Sequence, residues 1–125
     1  MSWRDAPLYV AAFDLADWVA GRAGGFLPPQ RRLGERLMDA VCTLLEAVSL
    51  ALTFPRSRGQ HLVTADQAVV RVRVLLRLAA AQGALTARQL RYASGNLADI
   101  GRMIGGWRKR LPSNAGERPP TAAIV

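Results

Sequence analysis

The sequence is poor in the side chains from which chemical sites are usually built: it has one cysteine, Cys42, one histidine, His61, and one lysine, Lys109. A lone thiol cannot close an internal disulfide, and Cys42, flanked by Val41, Leu44 and Leu45, reads as core filler. One Cys and one His cannot supply the clustered ligands of a zinc site, so no metal is expected. His61 is expected to lie solvated beside a turn. No segment reaches the ~20 apolar residues of a membrane span. The opening Met1-Ser-Trp-Arg-Asp-Ala-Pro has no apolar run of the signal-peptide kind. The expectation is a cytoplasmic protein with no membrane partner. Phosphate-cradling Gly-x-x-x-x-Gly-Lys, dinucleotide-binding Gly-x-Gly-x-x-Gly and Ser or Cys nucleophile motifs are all missing. The expected catalytic residues and cofactors are therefore none.

What the chain has is apolar side chains and arginine. Half of its 125 residues are hydrophobic, enough for one domain with a real core. Of 17 cationic side chains 16 are arginine, against nine carboxylates, for a formal net charge of +8. That charge points to a polyanionic partner, nucleic acid before an anionic membrane. Guanidinium holds phosphate bidentately and stacks on bases, which lysine cannot do.

The apolar spacing is helical throughout, with no strand pattern and no internal repeat. A first helix is expected from about Ala6 to Ala20, capped by Asp5, with Pro7 in its first turn and Leu8, Ala11, Ala12, Leu15, Trp18 and Val19 facing inward. A second runs from about Gln30 to Thr53 on Leu33, Leu37, Val41, Leu44, Val48 and Leu52, stopping at Pro55 and a basic loop with Arg56 and Arg58. The third and fourth open on the capping boxes Thr64-Ala-Asp-Gln67 and Thr86-Ala-Arg-Gln89. Gln82 to Leu85 makes the short turn between them, so they are antiparallel neighbours. Leu90, Ala93, Leu97, Ile100, Ile104, Trp107 and Leu111 alternate spacings of three and four, the seam of a bundle helix. The expected fold is an all-α antiparallel four-helix bundle over residues 1–111, with residues 112–125 a disordered tail.

Some faces exceed what one core needs. Helix three carries Val69, Val72, Leu75, Leu76 and Ala79 on one arc and Val70, Val74 and Leu78 on another. The second arc, if left outside, is a contact for another chain and the candidate oligomer interface; a tightly inserted helix burying both arcs is the alternative. On helix four Ser94, Ala98, Gly101 and Gly105 form a row of small side chains that lets another helix approach. Glu35, Asp39 and Glu46 share the outer stripe of helix two, a face that repels nucleic acid and has no accompanying nucleophile. The candidate nucleic-acid-binding residues are Arg71, Arg73 and Arg77 on helix three and Arg88, Arg91, Arg102, Arg108, Lys109 and Arg110 on helix four. No sequence-reading module accompanies them, so contact with backbone or shape is expected.

Three stretches resemble a known family. They are Leu27-Pro-Pro-Gln-Arg-Arg-Leu-Gly-Glu-Arg-Leu37, Ala65-Asp66 with Arg73 and Leu76-Arg77-Leu78, and Ile100-Gly-Arg-Met-Ile-Gly-Gly-Trp107. Together they are similar to the small four-helix-bundle proteins that include the accessory variability determinant of diversity-generating retroelements. The resemblance implies a homo-oligomeric, pentameric barrel with a positive surface. It implies a non-catalytic protein that binds the retroelement's reverse transcriptase and RNA or DNA to support mutagenic retrohoming. A sister branch, encoded in intervening sequences of large-subunit rRNA genes, is the alternative and carries no retroelement role.

Overall fold

A computed structural model describes residues 2–112 as four packed α-helices, with no strand among the described residues. The tail expected from residue 112 lies, beyond Pro112, outside the described residues. The helices are α1 (Pro7–Ala23), α2 (Arg31–Thr53), α3 (Arg58–Ala81) and α4 (Ala87–Lys109). Each packs against its neighbours in the order α1, α2, α3, α4 and back to α1, α2 with α3 most extensively and α1 with α4 least. This is the ring of contacts of an up-and-down bundle.

The core follows the expected spacing. Leu8, Leu15 and Val19 of α1, Leu37, Val41, Leu44 and Val48 of α2, and Leu97, Ile100 and Ile104 of α4 are buried together with Leu62, Val72 and Leu76 of α3. At the edges of these stripes Trp18, Leu33, Leu52, Leu90, Trp107 and Leu111 are half-buried and pack on the same core. Cys42 is also half-buried.

Two helix starts differ from the sequence expectation. Asp5 does not cap α1: it belongs to a single 3-10 turn, Trp3–Asp5, whose capping box is closed with Ser2. The cap position falls to Ala6, held extended at φ −64°, ψ 133° by the proline that follows it. The start of α3 lies at Arg58 rather than Thr64. Thr64 is inside the helix, where its hydroxyl donates back to the carbonyl of Gln60 at 3.3 Å, a bond that threonine makes in helix interiors as readily as it caps them. The extra turns are set by tertiary contact. Pro55 opens a 3-10 turn, Pro55–Ser57; Arg58 Nε donates to the carbonyl of Ala51 at 2.8 Å; Leu62 and Ala65 are fully buried. His61 therefore sits half-buried on α3, not beside a turn.

The other capping box forms as expected. Gln89 N–H donates to the Thr86 hydroxyl at 3.0 Å and Thr86 N–H to the Gln89 side-chain oxygen at 2.9 Å. The turn before it needs a left-handed residue, and Gly83 supplies one at φ +78°. Gln82–Thr86 thus reverses the chain tightly, placing the second half of α3 beside the first half of α4.

Candidate nucleic-acid interface

Two contacts fix which flank of α3 faces α4. Val69 Cγ1 lies 4.0 Å from where a Cβ on Gly101 would stand, and Arg108 Nη1 meets Asp66 Oδ2 at 2.5 Å. Arg73 follows Asp66 by two helical turns and Arg77 by three, so both stand on this same flank. Both are exposed. The chain reverses between Gln82 and Thr86, so both belong to the half of α3 that runs beside the first half of α4, the half that carries the exposed Arg88 and Arg91. This half of the bundle is the first place that carries several of the candidate residues.

The second place is the opposite end of α4, where Arg108, Lys109 and Arg110 follow one another. Lys109 and Arg110 are exposed, Arg108 half-buried against Asp66. Arg58 and Arg110 both lie over the ring of Trp107, 4.9 and 4.7 Å from its centroid. Between the two clusters Arg102 is exposed and paired with Asp99 one turn back on α4. Arg71 is exposed but stands on the flank of α3 turned away from α4, across the Val70, Val74, Leu78 strip. The nine candidates therefore form two clusters, with Arg102 in a local pair and Arg71 apart.

That apolar strip is outside the core. Val70, Val74 and Leu78 are 55%, 58% and 45% exposed, while the other arc of α3 is buried. Of the glycines in the small-residue row on α4, Gly101 faces Val69 of α3, while nothing lies within 4 Å of a Cβ placed on Gly105.

The acidic side of the molecule is elsewhere. Glu35, Asp39 and Glu46 are exposed on α2, and Asp14 and Asp17 on α1. A groove of about 440 Å³ between α1 and α4 is lined by Asp14, Asp99, Val10, Tyr92 and Met103 among others. Its carboxylates exclude it as a phosphate site. No described helix is long and apolar enough to cross a membrane.

The residues the sequence reading left out of its candidate set are Arg58 and Trp107. In the sequence Trp107 is a seam position of α4 and the end of the stretch Ile100–Trp107, neither of which marks it as a partner for cations. Arg58 was assigned to a loop, and its contact with α4 depends on a packing that no local spacing encodes.

The fold and the cationic surface define a small all-α bundle protein with arginine displayed on two of its helices and at one end. A family model described as bAvd-like matches residues 25–111, which takes in α2, α3 and α4. The chain belongs to this family, whose members are four-helix-bundle accessory proteins of a non-catalytic kind. No curated protein and no solved structure gives a significant match.

Proposed function

We propose that this protein is the accessory subunit of a diversity-generating retroelement, binding the element's reverse transcriptase and its RNA or DNA through the basic side of α3 and α4. The single observation that supports this reading is the match to the bAvd-like family over the three helices that carry the arginines. The exposed cations Arg73, Arg77, Arg88 and Arg91 at one end and Lys109 and Arg110 at the other supply sequence-independent attraction for phosphate. The bundle over residues 1–111 acts as the folded unit. The exposed Val70, Val74, Leu78 strip is its contact with further copies, which assemble into a pentameric barrel.

The protein contributes binding rather than bond chemistry: it holds template and polymerase together while the polymerase copies. The test is co-expression with the reverse transcriptase encoded beside this gene. The two proteins should copurify, and filter binding of the purified protein to RNA and DNA should weaken steeply with salt and change little with sequence. Absence of a neighbouring reverse-transcriptase gene and of its template and variable repeats overturns the reading.

A further inference from the structure

The end of the bundle where α3 begins and α4 finishes gathers five cationic side chains among the described residues. Arg56 lies in the 3-10 turn that leads into α3, Arg58 is the first residue of α3, and Arg108, Lys109 and Arg110 close α4. The contact of Arg58 with Trp107 brings these two segments together. Among the described residues, the one ion pair these five cations make is that of Arg108 with Asp66. The carbonyl end of α4 offsets part of this charge, but only about half an elementary charge.

Two of the guanidinium groups are held in place. Arg58 lies over the Trp107 ring and is tied by Nε to the carbonyl of Ala51 at 2.8 Å. Arg110 lies over the same ring and is tied by Nε to the carbonyl of Gly106 at 3.3 Å. Each is anchored through Nε, and among the described residues nothing accepts from their terminal amino groups. An anchored guanidinium with free Nη atoms is preorganised for phosphate, and the exposed guanidinium of Arg110 offers a planar face to a base. A lock between two helices needs one such arginine. Two on one ring repel each other, and an anion between them removes that repulsion.

We infer that this end of the bundle binds an unpaired nucleotide of a single-stranded nucleic acid. The phosphate bonds the Nη atoms of Arg58 and Arg110, with Lys109 and Arg56 adding charge, and the base stacks on the exposed guanidinium of Arg110. The inference rests on the nucleic-acid reading above and narrows it. Cations gathered at one end address one or two phosphates rather than the length of a duplex, and a stacking platform is useful only where base faces are not already hidden in a helix.

The test uses the full chain with Trp3→Phe and Trp18→Phe, leaving Trp107 as the sole indole. A 12-nucleotide oligouridylate should quench Trp107 emission, and an RNA duplex of equal charge should not. Replacing Arg58 and Arg110 by lysine keeps the charge and removes the planes. It should weaken oligouridylate binding about 10-fold, in line with the loss of one stacked base, and leave duplex affinity and its salt slope unchanged. Arg110→Lys alone, at an exposed position past the end of α4, should weaken it about three-fold at an unchanged melting temperature. Equal quenching by duplex, or lysine variants that bind oligouridylate as the parent does, overturns this site while leaving charge-driven binding intact. If the double variant lowers the melting temperature while Arg110→Lys leaves oligouridylate binding unchanged, the cluster is a helix lock and the inference fails. Failure of both probes to bind overturns the broader reading instead.

Discussion

Asp66 on α3 and Arg108 on α4, forty-two residues apart in sequence, form an ion pair at 2.5 Å with each side chain about one-third exposed, 35% and 36%. The pair withdraws one arginine from the cationic surface. Partly exposed pairs contribute up to about 1 kcal/mol to stability, so Asp66→Asn should lower the urea midpoint slightly without loss of helical signal. It should also release Arg108 toward phosphate. The salt dependence of duplex binding should then steepen by up to about 0.9 in log K against log salt. Asp14→Asn, on the outer side of α1, changes net charge equally and should leave the slope alone. If both variants behave alike, Arg108 does not contact nucleic acid.

Arg73 and Arg77 carry the clearest electrostatic expectation, since they are exposed and share the flank of α3 that faces α4. Replacing both by glutamine should weaken binding to every sequence alike and flatten the salt slope by about one to two. Circular dichroism should be unchanged, because neither side chain is buried. Filter binding across several salt concentrations checks the slope, and affinity equal to the parent removes the pair from the interface.

The core was legible because burial in a bundle repeats every three or four residues, and Leu97, Ile100 and Ile104 could hardly face elsewhere. The second arc of α3 was legible as an excess over one core, and its exposure follows from α3 having neighbours only on the α2 and α4 sides. The start of α3 was not legible. Thr64 to Gln67 reads as a cap, and what carries the helix past it is the reach of Arg58 to Ala51 and the burial of Leu62. The pairing of Asp66 followed the same rule. Arg73 and Arg77 share its flank two and three turns on, too far along the helix to pair with it; that flank faces α4, and Arg108 is the cation that arrives there. The contact of Arg58 with Trp107 was hidden for the same reason, since it joins the start of α3 to the end of α4 through tertiary packing, whereas that of Arg110 with Trp107 is local, three residues apart.

The glycines of α4 and α2 should respond oppositely to alanine. Nothing lies within 4 Å of a Cβ placed on Gly95 or Gly105, so each substitution should raise stability by about 0.5–1 kcal/mol through helix propensity. On Gly34 of α2 a Cβ would stand 3.0 Å from Phe26 Cδ2 and 3.2 Å from the carbonyl of Ala23. Gly34→Ala should therefore destabilise, by about 1–3 kcal/mol for a crowded site. Urea unfolding of the three variants measures both signs. A fall in stability for Gly95→Ala or Gly105→Ala would show that another chain lies against α4 where this one leaves space.

Self-association is the prediction that the apolar strip carries. Val74 is 58% exposed at the middle of the strip, with Val70 one turn before it and Leu78 one turn after. A continuous valine and leucine surface of this kind is an association site or an aggregation hazard. Light scattering of the purified protein should give several times the 13.5 kDa chain mass. Val74→Glu places a charge at the centre of the strip without touching the core, so the chain should stay helical and dissociate toward monomer. The same change should shallow the salt dependence of nucleic-acid binding, because an oligomer neutralises phosphates on several subunits at once. A parent protein that is monomeric at micromolar concentration removes the strip as an interface, and an oligomer that survives Val74→Glu places the contact on another face.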